Sequence, residues 1–120
     1  MLEVIFYRDA RDRLAGISAR GHADFAEYGQ DIVCAAVSAV LQAARLGLQE
    51  HAGVELEARQ TPGALRLRWP AERRELASVC AIVATAELAV AEIARRFPEH
   101  VRVRRRRVTE FANRRRRYDV

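Results

Sequence analysis

The chain has 120 residues, of which 50% are apolar and 31% charged, with a formal net charge of +5. This is the balance of a soluble globular protein, in a length that fits one domain able to bury a core without disulfides or metal. No uninterrupted apolar run reaches 18 residues, so no membrane span and no membrane partner are expected. The two cysteines lack CxxC spacing, which leaves neither a zinc site nor a disulfide framework, and no cofactor is expected.

The charge is unevenly spread. Residues 1–101 carry 12 arginines against 14 carboxylates, whereas residues 102–120 carry 9 arginines against Glu110 and Asp119. A mildly acidic body is thus followed by a basic tail, which suits an anionic partner such as RNA. The start, MLEVIFYRDAR, has no basic n-region and does not read as a signal peptide. The expected location is cytoplasmic, where thiols stay reduced.

Leu2 to Tyr7 is rich in β-favouring residues, and Leu14 to Arg20 follows after a polar turn, with Gly16 weakening the second strand or marking a bulge. Residues 21–31 read as a loop bounded by Gly21 and Gly29. From Asp31, a good N-cap, to about His51 the apolar residues Val33, Val37, Val40, Leu41, Ala44 and Leu48 recur at helical spacing, and Gly53 provides a stop. Val54, Leu56 and Ala58 alternate with charged residues, as do Leu65, Leu67 and Trp69. Between them Pro62-Gly63 has the order a type II turn needs, so this is a second hairpin. Leu76, Val79, Val83, Ala86, Val90, Ile93 and Phe97 predict the strongest helix, limited by Pro98. Val101 and Val103 form a last short strand. The order ββαββαβ predicts an α+β domain with two helices on a mainly antiparallel sheet, spanning residues 1–104, with residues 105–120 as an Arg-rich tail.

The chemistry centres on GHADFAEYGQDIVCAAVSAV, residues 21–40. With Asp31 as N-cap, Cys34 falls in the first helical turn, where unpaired amides and the helix dipole favour a thiolate. His22 stands at the end of the second strand, and a strand end and a helix start can meet at one sheet edge. An imidazole there would take the thiol proton and return it to a leaving amine. The amides near Cys34 and Ala35 would hold an oxyanion. The pattern leaves a second reading open, in which Cys34 is the first core member of the stripe through Val37, Leu41, Ala44 and Leu48. Asp31 either caps the helix, opposing a thiolate by like charge, or orients His22. Ser38, one turn after Cys34, either faces the pocket or bonds back to its own helix. Cys80 is expected in the core beside the second helical stripe, and His51 and His100 in solvent.

Gly21-His22-Ala23, Ala26-Glu27-Tyr28-Gly29 and Asp31-Ile32-Val33-Cys34-Ala35-Ala36-Val37-Ser38 together resemble the signature of the ribosomal-processing cysteine protease family (Prp). The likeness extends over about residues 1–104 and includes the FPEHVRV stretch. It implies an endopeptidase that removes a short N-terminal extension, after an aromatic residue, from a ribosomal large-subunit protein. It places the nucleophile on Cys34 and the general base on His22, and implies a mobile loop between them hinged at Gly21, and a homodimer. The alternative function is a non-catalytic ribosome- or RNA-associated protein that binds through the Arg-rich tail.

Overall fold

The computed structural model describes residues 1–21 and 28–108, with the side chains of residues 28–31 left aside. Two strands, β1 (Leu2–Arg8) and β2 (Leu14–Arg20), lead into helix α1 (Tyr28–Leu46). The hairpin β3 (Glu57–Thr61) and β4 (Ala64–Arg68) follows, then helix α2 (Ala77–Arg96) and strand β5 (Val101–Arg107). The strands form one five-stranded sheet in the order β3-β4-β2-β1-β5. Every neighbouring pair is antiparallel except β1 with β5. The expected α+β architecture and its ββαββαβ order are as observed.

Both helices lie on one face of the sheet. Val33, Val37, Leu41 and Leu48 from the first helical segment and Val79, Val83 and Val90 from α2 bury against Val4, Phe6, Ile17, Leu67 and Val101. By length and composition both helical segments pass as membrane spans, although the sequence has no unbroken apolar run. Their apolar stripes face the sheet instead, as period-3.6 patterning on a two-layer domain requires.

Four boundaries differ from the sequence reading, each for a visible reason. Helix α1 starts at Tyr28, so Asp31 is inside its first turn and is not the N-cap. The α-helix ends at Leu46 and widens into a π-turn, Gly47–His51, before Gly53 adopts the expected left-handed stop. Strand β3 starts only at Glu57, because the Val54 amide is already donated to the Leu48 carbonyl at 2.9 Å. Strand β5 continues to Arg107, so Arg105–Arg107 belong to the sheet rather than to a tail beginning at residue 105. Main-chain pairing with β1 needs no apolar side chain, and acids receive the arginines: Glu87 binds Arg105 at 2.9 Å and Asp12 binds Arg107 at 3.0 Å. Val108 then packs with Ile5 and Tyr7 on the other face. The remainder of the expected tail, residues 109–120, lies outside the described residues.

The hairpin turns behave as their residues dictate. Gly63 has φ +80°, as the second central position of a type II turn demands. The register irregularity in the first hairpin falls at Ala15, beside Gly16.

Candidate active site

Strand β2 ends at Arg20, and at the next residue, Gly21, the chain must pass between two other segments. Its amide donates to the Gly63 carbonyl of the β3–β4 turn at 3.0 Å. Its φ is +131°, and a Cβ placed there would collide with the Met1 carbonyl oxygen and lie 2.9 Å from Leu2 Cα. Only glycine satisfies both the dihedral and the space. Gly21→Ala is expected to lower stability by about 1–3 kcal/mol through strain, more if the start of β1 cannot shift. Urea unfolding of the two proteins at equal concentration measures it.

On the neighbouring helix, Cys34 is half-buried and packs against the edge of the core. Neither it nor Cys80 is in a disulfide. Between α1, the end of β2 and the β3–β4 hairpin lies a cavity of about 240 Å³. Gly21, Cys34 and Ser38 all line it, on a floor that includes Leu2, Val37 and Leu65. Thr61 and Gly63 form part of the far wall, with Gln60 beside them. Gln60 is tied back to α1, its Oε1 accepting from Gln42 Nε2 and from Arg45 Nη1, both at 3.1 Å. The hairpin is thus held against the helix across the mouth of the cavity. An apolar floor with an amide- and hydroxyl-bearing rim can take an apolar side chain of a peptide while the rim meets its backbone.

Of the residues singled out in the sequence, Gly21, Cys34 and Ser38 therefore share one cavity. His22 follows Gly21 directly in the chain but lies outside the described residues, as do residues 23–27 and with them the expected loop. The backbone of Asp31 sits one helical turn before Cys34; its carboxylate also lies outside what is described. The wall residues Gln60, Thr61 and Gly63 carry no sequence signal beyond that of a turn.

Two expectations are corrected. Cys34 is the seventh residue of α1, not in its first turn. In a continuous helix its amide and that of Ala35 donate to carbonyls four residues earlier, so they are not available to an oxyanion. The dipole effect, confined largely to the first turn, is correspondingly weaker at Cys34. Cys80 is exposed rather than in the core, and its Sγ–H donates to the Arg74 carbonyl at 3.3 Å. Val79 and Val83 occupy the buried stripe, and Cys80 stands about 100° round the helix from Val79.

Several solved structures share this arrangement. SMU.848 from Streptococcus mutans is 24% identical with a TM-score of 0.81, over 90% of this chain and 99% of that one. The ribosomal processing protease Prp from S. aureus in complex with a substrate peptide is 22% identical with a TM-score of 0.79, over 88% of this chain and 99% of its own. The same protease with a covalently linked product peptide is 23% identical with a TM-score of 0.77, over the same shares of the two chains. At these identities the likeness establishes the fold. A comparison with curated proteins finds no match. Residues 1–102, however, match the family described as Cysteine protease Prp. The chain belongs to the Prp family of cysteine proteases.

Proposed function

We propose that this protein is a cysteine endopeptidase that removes a short N-terminal extension from a ribosomal large-subunit protein. The observation that supports it most is that Cys34 and Gly21, the residue before His22, line a single cavity. Family membership supplies the reaction class, and the S. aureus relative, a ribosomal processing protease, holds a substrate peptide.

In this reading His22 removes the Cys34 thiol proton, and the thiolate attacks the scissile carbonyl. The resulting tetrahedral oxyanion needs donors other than the amides of Cys34 and Ala35, which the helix already uses. The Ser38 hydroxyl, one turn onward and in the same cavity, is such a donor. The C–N bond then breaks as His22 protonates the leaving amine, which leaves a thioester on Cys34. Water, deprotonated by His22, hydrolyses the thioester and restores the thiol. Activation rests on the imidazole rather than on the helix start. His22→Ala is therefore expected to slow turnover by about 10²–10⁴-fold. The enzyme acts in the cytoplasm as a homodimer.

The test is incubation of the full chain with the precursor of the ribosomal protein, followed by mass measurement of the product's N-terminus. One cut after an aromatic residue of the extension is expected. An uncut precursor, or cuts scattered through the folded protein, would refute the assignment.

A further inference from the structure

Each helix has two apolar faces, and the sheet covers one of them. Ile32–His51 and Ala77–Arg96 are apolar enough to cross a membrane, yet only 28% of the apolar stretch in each is buried. On α1 the stripe against the sheet is Val33, Val37, Leu41 and Ala44. A second stripe at the same spacing, Ile32, Ala36, Ala39, Ala43 and Leu46, is exposed. On α2, Val79, Val83, Ala86 and Val90 are buried, whereas Ala77, Ala81, Ala84 and Leu88 are exposed. Ile32 is 61% exposed, Leu46 59% and Leu88 73%. Between the helices runs an open groove with Val40, Gly47, Ile82 and Ala89 on its walls. Ala43 and Thr85 line it too, and Leu46 and Leu88 stand one turn beyond them, along its two rims. No charge interrupts this surface. Arg45 is turned aside to Gln60 Oε1 at 3.1 Å, and Glu87 is buried against Arg8 and Arg105. These are the only charged residues between Ile32 and Gln49 and between Ala77 and Ala91. In a chain that is 31% charged, a helix apolar on all sides is one that a further layer buries.

We propose that the outer face of α1 and α2 binds a second copy of the chain about a two-fold axis, enclosing four helices between two sheets. The inference rests on the homodimer of the proposed function, to which it gives a surface, and not on the cleavage reaction. An uncharged face meets itself with no like-charge penalty, as a two-fold contact requires. Leucines on the rims, alanines around them and a groove between them supply the ridges and grooves of helix packing. The area suffices. Helices of 19 and 20 residues are about 30 Å long, and two side by side present a face about 20 Å wide. That is about 600 Å² per copy and about 1,200 Å² in the pair, enough for a stable interface. It is also more apolar surface than a monomer ordinarily leaves contiguous. The chain's own C-terminal segment fits poorly. Val108 leaves it on the opposite side of the sheet, with Ile5 and Tyr7, and residues 109–120 include four consecutive arginines. A lipid surface fits poorly as well. Helices that lie in a membrane interface carry Trp or Phe on the apolar face and a basic polar face. Here the apolar face is alanine, isoleucine and leucine, and the first charges reached along it are acids, Glu50 and Glu92.

The experiment is sedimentation of the full chain over a concentration series. The wild type is expected to be a dimer with a micromolar or tighter Kd. Leu46→Lys/Leu88→Lys places charge on both rims of the groove and is expected to weaken the dimer about a hundredfold or more, with the far-UV circular dichroism unchanged. Ala10→Lys/Glu99→Gln makes the same change in net charge at exposed positions off this face and is expected to shift Kd less than threefold. If the first double variant does not fold, Leu88→Lys is read alone, with about a tenfold loss expected. A dimer that survives Leu46→Lys/Leu88→Lys would place the contact elsewhere and overturn the proposal while leaving the homodimer standing. A monomeric wild type would overturn both. The proposal also fails if the wild type dimerises only after deletion of residues 109–120, or if it stays monomeric and floats with mixed phosphatidylcholine and phosphatidylglycerol vesicles. Cleavage of the precursor is a separate readout, so loss of the protease assignment and loss of this interface are told apart.

Discussion

Cys34→Ala should abolish cleavage of the extended ribosomal-protein precursor while leaving the fold in place. The side chain lies at the cavity wall and only half in the core, so removing its sulfur deletes little buried surface. A stability loss of about 1 kcal/mol or less is expected. The chemical loss is of a different order. Without a nucleophile there is no thioester, and kcat/KM should fall by roughly 10⁴–10⁶-fold, the scale seen when a covalent nucleophile is removed from a protease. Cys34→Ser keeps the shape but substitutes a hydroxyl, which is a far weaker nucleophile with an imidazole placed for a thiol, and should be nearly as inactive. Both variants should still bind the precursor peptide, because the cavity floor and the Gln60 rim are unchanged. Kinetics on the precursor, with unfolding curves for each variant, checks all three points. Cleavage at more than a few per cent of the wild-type rate in either variant would show that another group performs the attack.

How much of this was readable in the chain depends on whether the signal is local. The β3–β4 hairpin is written in alternation and in Pro62-Gly63, and helix α2 in a stripe through Val79, Val83, Ala86 and Val90; α2 formed where expected, and the hairpin formed about its expected turn with β3 beginning at Glu57 instead of Val54. The start of α1 was misplaced because Asp31 is a good cap by residue type and Gly29 suggests a loop, whereas the helix runs through both. The second half of β5 was hidden because its residues, all arginine from 104 to 107, carry no apolar alternation. Pairing with β1 and acids on distant elements make it a strand. The linear count of charge is likewise blind to strand register. Counted along the chain, residues 1–101 are slightly acidic; folded, Arg20, Arg59, Arg66 and Arg68 join three arginines of β5 on one surface. At the site, residue spacing alone made Cys34 more readable as a core residue than as a nucleophile, and it was the resemblance over residues 21–38 that singled it out. The far wall of the cavity was not legible, since it depends on which hairpin pairs beside β2.

Asp9→Asn should be among the most destabilising single changes in the protein, although Asp9 has no part in the chemistry. Its carboxylate is 2% exposed and sits in the β1–β2 turn. It accepts from the amides of Arg11 and Arg13 at 2.9 and 3.0 Å, from Arg13 Nε at 2.9 Å and from Arg74 Nη1 at 3.0 Å. Arg74, itself buried, donates two further bonds to the Trp69 carbonyl, so the pair clasps the first hairpin to the connection between β4 and α2. Removing the negative charge leaves the Arg74 guanidinium buried without compensation, a change worth about 3–5 kcal/mol. A domain of this size has only about 5–15 kcal/mol in total. Burial pushes the Asp9 carboxyl up, but the bonds from the Arg13 amide, Arg74 and the Arg11 amide outweigh it and hold it below the ordinary carboxylate range. A depressed folded value means that the contribution is complete above the unfolded value, about pH 4, and is lost as the pH falls through the lower folded value. Wild type and Asp9→Asn should therefore differ most near pH 7 and converge in stronger acid. Urea unfolding of both proteins at pH 7 and at pH 3 tests this. A gap that stays constant between the two pH values would show that the carboxylate's charge is not what holds the clasp, and a gap below 1 kcal/mol at pH 7 would show that Arg74 finds another partner.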